Sequence, residues 1–261
     1  MKATLTTLLA CLLVASATSA DQGAEQQLAS ALRKRAAIDT LRRFTLTLKS
    51  RAGSDQSRRV SVLSKEYDER VYVVGAFFHP QDLRGTSFLG IDRKDSADRF
   101  IYFPAFRIVR RVGSQQKSDS WFGTDLSLED IEYRPIRDFE IIDSRTTDLD
   151  GEPMRQIDAR PLYGSSYARI RFHVAVADDT ILRTEYFAAD REDPSKVVNA
   201  KRADIRVSGD WTVPARVTCE NLETGSSTLV VLDDVVFSPD FDRGFFSTRT
   251  LEMWSKLKSL E

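Results

Sequence analysis

The chain has 261 residues, of which 30% are charged and 41% hydrophobic, and a formal net charge of −1. This is the composition of an ordinary globular protein, and it gives no electrostatic case for nucleic acid as a partner. No run beyond residue 20 approaches the ~20 apolar residues that a membrane-spanning helix needs.

The N-terminus comes first. Met1 and Lys2 form a short positive start, with no acidic residue before Asp21. Leu5 to Ala17 is almost wholly apolar or small, and Thr18-Ser19-Ala20 supplies the small residues of a signal-peptidase site. The expectation is a cleaved signal peptide over residues 1–20, export to the periplasm, and one domain over residues 21–261. Ala15-Ser16-Ala17 offers a second candidate cleavage site. A competing reading is a lipobox at Leu8-Leu9-Ala10-Cys11, which would leave the apolar stretch Leu12 to Ala17 on the mature protein. After cleavage at Ala20 the remaining cysteine is Cys219. No intrachain disulfide is then available, and its place in a strand-like run makes it a buried structural thiol.

Glu25 to Ala37 reads as a helix. Leu28 and Leu32 stand four apart with Ala24 and Ala31 on the same side, and Arg33, Lys34 and Arg35 close it where the dipole favours cations. Asp39 is expected to cap a short second turn. The period then changes to two. Phe44, Leu46 and Leu48 alternate with Thr45, Thr47 and Lys49, as in a half-buried strand. Strand signals follow around Val60–Val62, over Val71 to Phe78 (stopped by His79-Pro80), Thr86 to Asp92 and Arg99 to Phe103. A short helix is expected over Ser127 to Ile131, capped by Asp125, with Glu129 and Asp130 in its first turn. Ile170, Phe172, Val174 and Val176 alternate in a further strand, and Leu182 to Phe187 returns from it. Ala215 to Asn221 and Thr228 to Leu232 flank a turn at Glu223–Ser226. Leu251, Trp254, Leu257 and Leu260 lie near helical spacing. The fold class is therefore mainly β (α+β), a large antiparallel sheet with an N-terminal helix and short helices. Periodicity leaves open whether its aromatic interior is a closed core or a cavity.

The most distinctive stretch runs from Leu83 to Ile131. It contains Arg84-Gly85-Thr86-Ser87-Phe88-Leu89, then Tyr102-Phe103-Pro104-Ala105-Phe106-Arg107-Ile108-Val109-Arg110-Arg111-Val112, then Phe122-Gly123-Thr124-Asp125-Leu126-Ser127-Leu128-Glu129-Asp130-Ile131. In this order the segments resemble the LolA-like outer-membrane lipoprotein-sorting protein family, the subgroup often found beside RND-type exporters. Tyr186-Phe187, Gly209-Asp210-Trp211, Thr224-Gly225 and Phe246-Ser247 fit as well. The resemblance implies a curved, incomplete β-barrel whose concave side is covered by helices, with acyl chains held between sheet and cover. It also implies a periplasmic carrier of lipid or lipoprotein acyl chains, an RND-type inner-membrane exporter as one partner, and transient contact with a membrane.

On that reading the aromatic crowd supplies the cavity wall or its mouth: Phe77, Phe88, Phe100, Tyr102, Phe106, Trp121 and Phe122. Strand alternation should turn about half of them away. Arg84, Arg107, Arg110 and Arg111 either grip a lipid headgroup or form structural ion pairs with Asp125, Glu129 and Asp130. Catalytic machinery is not expected. The two histidines, His79 and His173, stand far apart in sequence, and no HExxH, GxSxG or Walker loop occurs. Neither a metal nor a cofactor is expected. The alternatives to a carrier are an accessory lipid-binding protein of an RND-type exporter and a periplasmic lipid sensor. Relatives of the sensor kind usually carry a second domain, and here little follows Leu251.

Overall fold

The structure is a computed structural model that describes residues 22–53, 55–93, 97–113, 116–189, 191–209 and 211–261. The expected signal peptide over residues 1–20, the alternative lipidation site at Cys11, and Asp210 lie outside these residues. Helix α1 spans residues 22–36. Its Ala24, Leu28, Ala31 and Leu32 are buried together, as their spacing predicts. No second turn follows. Asp39 takes a positive φ of 65° and pairs with Lys65, and the chain enters its first strand at once.

Six strands form the first meander: β1 (Thr40–Lys49), β2 (Asp55–Tyr67), β3 (Arg70–His79), β4 (Ser87–Asp92), β5 (Ala97–Phe103) and β6 (Ile108–Arg111). The second comprises β7 (Phe139–Leu149), β8 (Glu152–Pro161), β9 (Arg169–Ala175), β10 (Ile181–Phe187), β11 (Lys196–Ala200), β14 (Arg216–Asn221) and β15 (Ser226–Phe237). A separate hairpin, β12 (Ile205–Ser208) with β13 (Trp211–Pro214), is inserted before β14. The last strand returns to pair antiparallel with the first, from Thr40↔Phe237 to Lys49↔Ser227. The two meanders thus fuse into one antiparallel sheet of thirteen strands, ordered β6-β5-β4-β3-β2-β1-β15-β14-β11-β10-β9-β8-β7. The sheet is curved and does not close.

This order has a consequence for the chain between β6 and β7. These strands are the two opposite edges of the sheet. Their connection must therefore bridge the two edges, and its described residues 116–138 do so. It carries helix α2 (Leu128–Ile131) over the concave face.

Both faces of the first meander are covered, which accounts for the unbroken apolar run in β3. Val71 and Val73 look into the concave side. Tyr72, Val74, Ala76 and Phe78 pack on the other side against Phe246, Leu251, Leu257 and Leu260. The C-terminal segment is not the single helix its spacing predicts. It breaks into α3 (Thr248–Leu251), α4 (Trp254–Leu257) and a 3-10 turn at Lys258–Leu260. Met253, in a non-helical conformation, separates the first two. Strands β7 and β8 carry no clear signal in the sequence, because β7 is an edge strand with mostly polar, partly exposed side chains. Their hairpin does have one: Asp150-Gly151, both at positive φ (55° and 84°), forms the two-residue turn that such strands favour.

Gly75 fixes how β3 meets β4. It stands opposite Phe88 in the ladder. A Cβ there would overlap the Phe88 ring and lie 2.7 Å from the Ser61 backbone oxygen. The ring can move, but the backbone of β2 cannot without loss of its ladder. Gly75→Ala should therefore destabilise the protein by about 1–3 kcal/mol, despite alanine's better strand propensity. A lowered urea midpoint would show it, and an unchanged midpoint would refute it.

Candidate functional site

A cavity of about 320 Å³ lies between the concave face, α1 and the crossing segment. Strand alternation selects its wall. Phe44 and Leu46 of β1, Val60 and Val62 of β2, and Phe88 of β4 come from the first meander. Phe172, Tyr186, Val198, Val217 and Val230 come from the second. Leu126, Ile131 and Tyr133 form the roof, and Leu32 and Ala36 of α1 close one side. The cavity is thus predominantly apolar and made from elements far apart in the chain.

The structure divides the seven sequence-predicted aromatic residues. Phe77, Phe88, Trp121 and Phe122 meet in one cluster, with Phe77 centred 5.2 Å from Trp121 and 4.7 Å from Phe122. Phe88 and Trp121 reach the cavity wall, while Phe77 is fully buried behind them. Phe100 and Tyr102 are not in the wall. They pack on the opposite face with the C-terminal segment, because β5 presents Arg99 to the concave side. Phe106 is 71% exposed at the β5–β6 turn, away from the cavity.

The four predicted arginines do not face the cavity, nor do they pair with Asp125, Glu129 or Asp130. Arg84 lies over the Trp254 ring on the other face. Arg111 pairs with Asp98 at 2.6 Å, and Arg107 and Arg110 are exposed. Asp125 does not cap α2. Its carboxylate accepts hydrogen bonds from the Ser226 and Thr228 hydroxyls and ties the crossing segment to β15. The cap is Ser127, in a reciprocal box with Asp130.

The acids of the crossing segment find other partners. Lys196 Nζ is 2.6 Å from Asp130, whose carboxylate is fully buried. The Tyr167 hydroxyl donates to the same group at 2.9 Å, and the Ser127 backbone N–H at 2.7 Å. Burial first, and then the Asp130 charge, raise the Tyr167 phenol above its ordinary range. Glu129 takes Arg134 at 2.9 Å and the Ser166 backbone N–H at 2.9 Å. Glu132 takes Arg99 at 3.1 Å and Lys117 at 3.0 Å. Arg35 Nη2 donates to the Asp130 carbonyl at 3.5 Å. The cover is therefore fastened by charge, and the wall below it is apolar.

Sequence reasoning missed Arg35, Arg42, Arg134, Tyr167 and Lys196. Arg42 had a signal, since it shares the period-two face of Phe44, Leu46 and Leu48. Lys196 had none, because its partner lies 66 residues away. Elsewhere, Cys219 is a buried free thiol whose pKa burial pushes up to about 12. His173 lies 3.6 Å from Glu185 on β9 and β10, while His79 ends β3 in the other meander. Among the described residues no cluster of three or more His, Cys, Asp or Glu side chains could hold a metal ion.

A curved, open antiparallel sheet enclosing an apolar cavity under a crossing cover is a LolA-like fold. Solved structures bear this out. A domain from Vibrio parahaemolyticus named as an outer membrane lipoprotein-sorting protein is 20% identical, with a TM-score of 0.77 over 88% of this chain and 99% of that one. A DUF1329 family protein from Desulfovibrio piger gives 19% identity and a TM-score of 0.81 over 88% and 98%. A LolA superfamily protein from Nitrosomonas europaea gives 16% and 0.71 over 87% and 98%. At these identities the likeness is one of fold. No curated protein sequence matches the chain. A family model described as "Uncharacterized protein" matches residues 69–253, and the chain belongs to that family.

Lys196→Met should leave the Asp130 carboxylate buried without its cation. The expected loss is about 3 kcal/mol of stability, because a single survivor of a buried pair keeps its desolvation cost. Hydrogen exchange over residues 124–135 should rise with it. Unchanged stability and exchange would show that the pair does not fasten the cover.

Proposed function

We propose that this protein is a periplasmic carrier of lipid or lipoprotein acyl chains. The observation that supports it most is the apolar cavity of about 320 Å³ closed by a segment that bridges the two sheet edges. Ligand sites commonly occupy roughly 300–1,000 Å³, with mostly apolar walls and a few polar groups. Each buried methylene contributes ~0.8 kcal/mol, so a chain of a dozen carbons gains roughly 10 kcal/mol before the cost of association. A carrier needs binding of this reversible kind and no bond-making step, so the reading assigns no catalytic residue and no cofactor. The signal-like N-terminus supports export, and the relative named as a lipoprotein-sorting domain supports the cargo class. Loading would bring the protein briefly to a membrane, for which exposed Phe106 beside Arg107 and Arg110 is suited. An RND-type exporter partner or a sensor role would use the same cavity, and no contact among the described residues favours either.

Trp121 supplies the test, because its ring forms part of the wall. An acyl chain carrying bromine near its middle should quench tryptophan fluorescence in a saturable way, and Trp121→Phe should remove most of that quenching. Trp254, packed on the opposite face, should not contribute. No quenching of the wild type by any chain length would count against the carrier reading.

A further inference from the structure

One charged side chain on the cavity wall has no counter-charge. Arg42 enters the concave face of β1 on the same side as Phe44 and Leu46. Its surface borders the cavity, and the side chain is half-buried there. Its Nε is buried and makes no hydrogen bond, and its guanidinium lies 5.8 Å from the centre of the Phe44 ring. Among the described residues it forms no ion pair. The other charged groups of the wall are all engaged. Glu129 is held by Arg134, Asp130 by Lys196, Glu132 by Arg99 and Lys117, and Arg35 by the Asp130 carbonyl. Its neighbour Arg43 points to the other face, where it meets Asp234 at 2.5 Å. Burial lowers the Arg42 pKa only to about 10, so the group is a cation at neutral pH.

A cation set in an apolar wall without a partner is costly, whereas a guanidinium that meets an acid through its planar fork makes strong paired hydrogen bonds. Volume limits what can bring that acid. An apolar cavity of about 150 Å³ holds benzene, so roughly twice that volume holds about a dozen carbons, which is one chain and not several.

We propose that the cavity takes a single-chain amphiphile with an acidic head, a carboxylate or a phosphate, whose anionic oxygens pair with the Arg42 guanidinium. This rests on the carrier reading and adds the class of cargo to it. The head is drawn inside against β1, while the chain lies along Phe44, Leu46, Val62 and Phe88. Arg42 then sets preference among amphiphiles, and the apolar wall sets affinity.

Calorimetric titration with dodecanoate, dodecyl phosphate and dodecanol tests this, each below its micelle concentration. The wild-type protein should bind at least one acid roughly ten- to a hundredfold more tightly than the alcohol, the range expected of a hydrogen bond to a charged group. The tighter acid identifies the head. Arg42→Met should erase the gap while dodecanol still binds. Arg42→Gln, which keeps a polar group in place, serves if the methionine variant does not fold. Equal binding of acid and alcohol by the wild type would overturn the acidic head and leave the carrier reading standing. A gap that survives both substitutions would overturn the role of Arg42. Binding of none of the three would overturn the carrier reading itself.

Discussion

The chain must travel from one edge of a thirteen-stranded sheet to the other, and the rest of the structure depends on that crossing. Two meanders fused through β1 and β15 leave β6 and β7 at opposite ends, so the segment between them bridges the two edges along one face. It takes the concave one. There it meets cations from other elements: Lys196 from β11, Arg99 from β5 and Arg35 from α1. Ion pairs of this kind contribute modest net stability but fix where a segment lies, because leaving one member unpaired is expensive. The cavity below is what remains when a curved sheet is covered by a strap pinned at several points.

Much of this was legible in the sequence, and what was not has physical reasons. The helix read over Glu25 to Ala37, found at residues 22–36, and the strands with strict alternation stand where their periods place them, since each needs only local pattern and one buried face. The LolA-like resemblance carried by the segments from Leu83 to Ile131 is shown as fold. The site was harder. Phe77, Phe88, Trp121 and Phe122 converge because β3 and β4 turn the same face to the crossing segment. Phe100 and Tyr102 diverge because one residue of phase puts them on the other side. Phase relative to a cavity is a tertiary fact that aromatic density does not encode. The Arg-rich stretch misled for a related reason. Arg107, Arg110 and Arg111 lie in a turn and an edge strand, where solvent reaches the first two and Asp98 pairs with the third. The cations that fasten the cover sit singly on distant elements.

Arg42 illustrates how the levels connect. Its position is set by the period-two pattern of β1, its isolation by the apolar side chains around it, and its importance by the low dielectric of the cavity. On the surface such an arginine would mean little. Facing an apolar space, it would, on the proposed reading, make a cavity for an acyl chain discriminate by charge. Affinity and selectivity are then carried by different residues and separable by substitution.

The central claim is that the space between sheet and strap holds an acyl chain. The most direct measurement is the native mass of the protein released gently from its cells, with extraction of whatever accompanies it. The account predicts a stoichiometric adduct that fragments as a lipid, a fatty acid or an acylated peptide. A bare protein mass, unchanged after incubation with lipid vesicles, would contradict it.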